Sequence, residues 1–252
     1  MKSSGKDFLY DKKDQLNSQY DKLLNKNTDF QKGPFSSNEF VNPSLLSFLK
    51  GEPLNHWLRS LLDSGPWCEL GSGPYSLFEV GEELIPGLGF KNDLMAFDLS
   101  NSAIESSPSE KIKYKVQDIT KGLPLGPYAF ILDGHFLHCL SSLPELFQTL
   151  GMIFNALKPG GLFAGEVMMA HKNLSFDHDL FYDFDTNVLS FEGRPLRVIL
   201  WAHEWEQLFI EAGFKIEFFI CQSSIKMIPG RKRRIPMSGD PECLRFVLKR
   251  PS

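Results

Sequence analysis

Two glycines and three aspartates stand where this sequence could do chemistry. Trp67-Cys68-Glu69-Leu70-Gly71-Ser72-Gly73-Pro74 is an apolar lead-in followed by an acid and two alternating glycines. Glycine has no Cβ and tolerates φ > 0, so a strand that ends on such a turn can bring bare backbone against a ligand. The apolar segment from Ser76 to Leu84 predicts a helix over 76–85, whose first N–H groups would face that ligand. Taken alone, Gly-x-Gly reads equally well as a tight strand-to-helix turn. The downstream residues decide in favour of a site: Asp98, Asp118 and Asp133 each lie at or near the end of a strand-like run, and His135 and His138 come directly after the last of them.

These residues need a scaffold, and the pattern supplies one. Strands are predicted at 67–70, Leu94–Asp98, Ile112–Ile119, Tyr128–Asp133 and Leu162–Met168, with linking helices at 76–85, about 101–107 and 142–157. The last helix carries a capping box, Ser142-Leu143-Pro144-Glu145, with proline in the first turn, where its missing N–H does no harm. Such alternation makes a parallel sheet with helices on both faces, and right-handed crossovers gather the strand C-termini at one edge, where ligands bind. After a long irregular stretch at 170–200, a helix through His203–Ala212 closes on Gly213. Lys215–Cys221 and Glu242–Lys249 then read as two strands with no helix between them, an antiparallel hairpin at the sheet edge. The fold expected is α/β: a doubly wound, mostly parallel seven-stranded sheet with a C-terminal antiparallel hairpin and an N-terminal helical extension.

That extension spans 1–64. Residues 1–33 are polar with loosely spaced apolar positions and read either as a frayed tail or as a helix closing over a site. Asn42-Pro43-Ser44 starts a helix, a second amphipathic piece runs over 56–62, and Ser64-Gly65-Pro66 stops it. The main domain then occupies 65–252. A hydrophobic share of 42% gives it a real core. A net charge of -4 makes nucleic acid an unlikely partner. No apolar run reaches eighteen residues, so no membrane span is expected. The N-terminus lacks a secretory apolar region, and Cys68, Cys139, Cys221 and Cys243 are scattered; both point to reduced thiols in the cytoplasm.

Five pieces, in order, resemble the class I S-adenosylmethionine-dependent methyltransferases. Glu69-Leu70-Gly71-Ser72-Gly73 is similar to the family's first motif, the turn around the methionine end of the cofactor. Phe97-Asp98-Leu99-Ser100 resembles the acidic end of its second strand, whose carboxylate accepts both ribose hydroxyls. Val116-Gln117-Asp118-Ile119 resembles the third-strand motif, where a carboxylate and the next N–H read the adenine edge. Phe130-Ile131-Leu132-Asp133 is similar to the fourth strand, which borders the transferable methyl, and Ala156-Leu157-Lys158-Pro159-Gly160-Gly161 to the turn into the fifth. The resemblance covers about 67–250 and implies S-adenosyl-L-methionine as cofactor. The chemistry fits, since a carboxylate can accept both ribose hydroxyls. The sulfonium is already an activated leaving group, so such an enzyme chiefly aligns the acceptor. Two departures stand out: Tyr75 replaces a frequent third glycine, and 81–90 lengthen the path to Asp98.

The resemblance implies a small-molecule acceptor methylated on O or N. His135 and His138 are the candidate bases, since histidine takes up a proton near neutral pH. The competing reading packs one ring against the cofactor and gives the other to backbone groups. No Asn/Asp-Pro-Pro-aromatic run and no Pro-Cys or Thr-Cys nucleophile occurs here, which disfavours base-amine and pyrimidine C5 methylation. His171, Asp177, His178, Asp179, Asp183 and Asp185 are ligand-type residues without metal-loop spacing, so no metal is expected. The aromatics among them, Phe176, Phe181, Tyr182, Phe184 and Phe191, instead suggest that 170–200 covers an organic substrate. Arg231-Lys232-Arg233-Arg234 reads as a solvated loop or, if functional, as a contact for an acidic substrate, RNA or a membrane surface. A protein or RNA acceptor, or a cofactor-binding protein without catalysis, are the alternatives.

Overall fold

A computed structural model describes residues 42–80, 93–107, 110–124, 126–177, 179–229 and 235–252. Among them, seven strands are mostly parallel, three of them in one compact unit and four in the other, and three more form a separate antiparallel sheet. The chain divides into two compact units, one ending at Ile119 and one beginning at Thr120.

The first unit opens with helix α1 (Pro43–Lys50), started by Asn42, whose Oδ1 accepts from the N–H groups of Ser44 and Leu45. Such a cap contributes about 1 kcal/mol. Helix α2 is Leu54–Ser60. Strands β1 (Trp67–Leu70) and β2 (Leu94–Asp98) are buried at every position, and β3 (Ile112–Val116) pairs parallel to β2 at one side. Strands covered on both faces read as unbroken apolar runs, which is why these were legible without alternation. The third strand stops at Val116, and Ile119 already belongs to a 3-10 turn, Ile119–Lys121. The helix expected at 76–85 is, where described, a 3-10 turn, Leu77–Val80; the rest of that span lies outside the described residues. Helix α3 (Asn101–Glu105) is capped by the Ser100 hydroxyl.

In the second unit β4 (Tyr128–Asp133) pairs parallel to β5 (Leu157–Met169), joined by helix α4 (Leu143–Ala156). The capping box is reciprocal only in part: Ser142 Oγ accepts from the Glu145 N–H, whereas the Glu145 carboxylate turns to the N–H and hydroxyl of Ser141, both at 2.7 Å. Helix α5 (Ala202–Glu211) ends before Gly213 at φ 94. β9 (Lys215–Lys226) is longer than expected, and β10 (Glu242–Lys249) lies between β5 and β9, antiparallel to both. Phe163, Phe209, Phe214 and Phe246 stack edge to face and tilted between α5 and the sheet.

The stretch 170–200 is not irregular. It folds into a three-stranded antiparallel sheet, β6 (Leu180–Asp183), β7 (Val188–Phe191) and β8 (Arg194–Val198). Its inner positions, Tyr182 and Leu189, join Met168, Ile199 and Cys243 in a buried cluster. The Tyr182 hydroxyl sits between Ile199 O at 2.6 Å and Asn187 Oδ1 at 2.9 Å.

Candidate functional site

In the first unit the end of β1 forms a cradle held from three directions. Gly71 and Gly73 have φ of 71° and 60°, the left-handed region that side chains resist, so both positions require glycine. The Phe97 carbonyl accepts from the N–H groups of Gly71 and Ser72, fastening the turn to β2. Asp98 closes it: Oδ2 accepts from the Gly73 N–H at 2.9 Å and Oδ1 from the Ser100 N–H at 2.8 Å. Glu69 holds the far side. Its Oε2 accepts from the Ser76 hydroxyl at 2.5 Å and from the Leu77 N–H at 2.8 Å.

Tyr114, which no sequence motif singles out, is the third brace. Its hydroxyl accepts from the Ser76 N–H and donates to Glu79, both at 2.9 Å. Burial pushes the Asp98 carboxyl up, and the N–H bonds from Ser100, Gly73 and Leu99 pull it back. A carboxylate has about four acceptor positions. These three N–H bonds leave about one acceptor position on Asp98 for a ligand hydroxyl.

Beyond Asp98, Leu99 is half-buried, and the Gln117 N–H donates to the Asp98 carbonyl at 2.8 Å, joining the ends of β2 and β3. Asp118 is half-buried beside it and Ile119 is buried, while the Gln117 amide turns to the Asp118 carbonyl. Glu69, Gly71, Ser72, Gly73, Asp98, Leu99, Gln117, Asp118 and Ile119 thus all belong to one unit. A backbone cradle free of Cβ atoms, a buried carboxylate and a second carboxylate before an N–H suit a nucleoside with an extended polar tail.

In the second unit Asp133 ends β4, wholly buried. Oδ1 accepts from the N–H groups of Phe136 at 2.5 Å and Leu137 at 3.3 Å, whereas Oδ2 is buried without a hydrogen-bond partner among the described residues. Burial therefore pushes this carboxyl up to about 7, against the lowering effect of those N–H groups. Gly165 faces it across the β4–β5 pair, and a Cβ there would collide with that of Asp133. The turn after Asp133 places His135 at φ 69, uncommon for a residue with a side chain.

The two histidines part company here. Their ring centroids are 5.4 Å apart. His138 is 1% exposed, its Nδ1 has no hydrogen-bond partner among the described residues, and burial, then Arg197 and His135, hold it well below the ordinary histidine range. The His135 side chain is 27% exposed, with Nε2 3.4 Å from Glu166 Oε2. Glu166 is 1% exposed and bound through Oε1 to Arg245 Nε at 2.7 Å. Glu166 and Arg245 are direct cross-strand partners in β5 and β10. A glutamate inside the apolar run Leu162–Met169 and an arginine inside Cys243–Leu248 were the available signals for this pair, since buried charges need partners. Arg197 of β8 donates to Cys139 Sγ and to the Pro229 carbonyl, tying the small sheet to the histidine turn.

The other ligand-type residues are engaged locally. His171 Nε2 lies 2.8 Å from the Asp240 carbonyl. Asp183 takes the Thr186 hydroxyl and the Asp185 N–H. His178 and the basic run 231–234 lie outside the described residues. No helix among the described residues is long and apolar enough to cross a membrane.

No protein-family model matches the chain, and no curated protein matches it. Solved structures do match. The DhpI–SAM–HEP complex aligns with a TM-score of 0.57 over 100% of both chains, at 14% identity. The 1,6-didemethyltoxoflavin-N1-methyltransferase of Burkholderia thailandensis, solved with 1,6-didemethyltoxoflavin and S-adenosylhomocysteine, aligns with a TM-score of 0.54 at 13% identity, covering 93% of this chain and 88% of that one. The CcbJ methyltransferase of Streptomyces caelestis aligns with a TM-score of 0.54 at 13% identity, over 79% of this chain and 88% of its own. The likeness is one of fold. The chain has the Rossmann-like fold of the class I S-adenosylmethionine-dependent methyltransferases.

Proposed function

We propose that the chain is an S-adenosylmethionine-dependent methyltransferase acting on an O or N atom of a small molecule. The observation that carries this reading is the cradle at the end of β1: two left-handed glycines whose second N–H is bonded to the buried Asp98. In this reading Asp98 accepts a ribose hydroxyl, Asp118 and the Ile119 N–H meet the adenine edge, and Gly71, Ser72 and Gly73 offer backbone to the methionine end. Glu69 keeps that turn in shape through Ser76 and Leu77. S-adenosylmethionine, when bound, supplies a methyl already activated on a sulfonium. The protein's own residues then bind, orient and deprotonate the acceptor.

His135 is the better base of the two. Solvent reaches its ring, while His138 is sealed in and kept neutral by burial. Glu166, held by Arg245, stands 3.4 Å from His135 Nε2 and orients the ring. His138 then serves to pack the turn. A cytoplasmic setting accords with four cysteines that no disulfide joins.

Calorimetric titration with S-adenosylmethionine and S-adenosylhomocysteine tests the reading. The full chain is expected to bind both at about micromolar Kd, Asp98→Ala to lose at least about tenfold in affinity, and His135→Gln to bind like the parent. No binding by the folded parent, or unchanged affinity in Asp98→Ala, overturns the assignment.

A further inference from the structure

The second unit holds a cleft of about 460 Å³ that none of the roles above uses. Its floor is one face of the β6–β8 sheet. Phe181 and Asp183 of β6 stand opposite Ser190 and Val188 of β7, and Pro195 of β8 stands opposite Ser190. All five line the cleft, and its facing wall is the entry to α4, Ser141 to Pro144. Alternation along the strands sends Tyr182 and Leu189 the other way, into the core. The floor is therefore the face turned away from that cluster, open at Phe181 and buried at Val188.

Three features describe what would fill it. Phe181 is 70% exposed, an aromatic ring presented to solvent at the rim of a concave surface. Two carboxylates, Asp183 and Asp185, lie in the lining, and no lysine, arginine or histidine does among the described residues. Bonds from the Thr186 hydroxyl and the Asp185 N–H hold the Asp183 carboxyl below its ordinary range, so it stays ionised. The helix entrance would by itself favour an anion. Here the Glu145 carboxylate already occupies it, bound to the N–H and hydroxyl of Ser141. The cleft's helix wall follows the histidine turn in the chain. Its wall begins at Ser141, two residues beyond Cys139, whose thiol contacts the His135 carbonyl and receives Arg197 from β8.

We propose that this cleft receives the methyl acceptor and selects a small aromatic amine, its ring against Phe181 and its ammonium beside Asp183 and Asp185. The inference rests on the methyltransferase reading for the word acceptor, but the cleft's preference for a cationic aromatic stands on its lining alone. Charge complementarity supplies selectivity, the aromatic wall supplies contact area, and the cation can also lie over the Phe181 ring. An anionic ligand of the same shape would meet two carboxylates with no cation in the lining to offset them.

Tyramine and 4-hydroxyphenylacetate share a phenol ring and differ in the sign of the side-chain charge, so they serve as probes. Ligand-observed NMR titrations of the full chain, with and without saturating S-adenosylhomocysteine, give both affinities. Tyramine is expected to bind at least about tenfold more tightly than the acid, with the margin shrinking as salt is raised. Asp185→Asn should cut that margin, and Phe181→Ala should weaken both probes; both residues are exposed, and circular dichroism checks the fold of each variant. Equal binding of the two probes, tighter binding of the acid, or no saturable binding of tyramine overturns the proposal. Binding of S-adenosylhomocysteine without tyramine defeats the cleft assignment alone. Binding of tyramine without S-adenosylhomocysteine defeats the methyltransferase reading and leaves the cleft standing.

Discussion

Replacing Glu166 with Gln probes the buried pair that flanks the His135 turn. The carboxylate is 1% exposed, its partner Arg245 is 13% exposed, and the two are joined at 2.7 Å. Coulomb attraction between such charges is about 4 kcal/mol at an effective dielectric near 20 and a separation near 4 Å. Much of it offsets the desolvation of the two ions, so the net value of the intact pair is small. Removing one partner is different, because the other charge remains buried; that costs about 3–5 kcal/mol. An amide still accepts one hydrogen bond, which places Glu166→Gln near the lower end, at about 3 kcal/mol. The double variant Glu166→Gln/Arg245→Met removes the stranded charge and should return to within about 1 kcal/mol of the parent, about 2 kcal/mol more stable than Glu166→Gln alone. Urea unfolding followed by the fluorescence of the four tryptophans measures all the corners of the cycle. If Glu166→Gln costs less than about 1 kcal/mol and the coupling vanishes, the pair behaves as an exposed one and the reasoning fails.

Two further outcomes concern the same turn. The Asp133 carboxyl titrates at about 7 in the folded chain and at about 3.9 when unfolded, so between these values the folded state holds a proton the unfolded state has lost, and stability falls as pH rises. Asp133→Asn should therefore gain on the parent from pH 4 to 7, by up to about 4 kcal/mol, then hold level; parallel stability curves would refute the burial of an ionisable group there. Gly165→Ala drives a Cβ into that of Asp133 and sets it 3.1 Å from the Asp133 carbonyl oxygen, so backbone must move at a cost of about 1–3 kcal/mol. A melting temperature lowered by about 3–10 °C is expected, and one indistinguishable from the parent's contradicts the close β4–β5 approach.

How each segment is buried decided how legible it was in the sequence. β1, β2 and β4 lie where continuous apolar runs placed them, because both faces of each are covered. α4 announced itself through Ser142 and a long apolar stripe. The β6–β8 sheet did not. Its strands are four or five residues long, and the solvent-facing Phe181 disguises the alternation that Tyr182 and Leu189 obey on the inner face. In the candidate site, Glu69, Gly71, Gly73, Asp98 and Asp133 were legible because glycines and acids at strand ends stand out against apolar neighbours. Tyr114, Glu166 and Arg245 were harder to read, since their partners lie 31 or more residues away and only three-dimensional register brings them together.

The alternation of the small sheet separates two kinds of inheritance. Positions 182 and 189 are answerable to the core, so drift there weakens folding. Positions 181, 190 and 195 face the cleft instead. A lineage carrying this scaffold can therefore exchange one clientele for another through a handful of single-codon changes on one side of three short strands, each viable on its own, with the cradle at β1 left untouched.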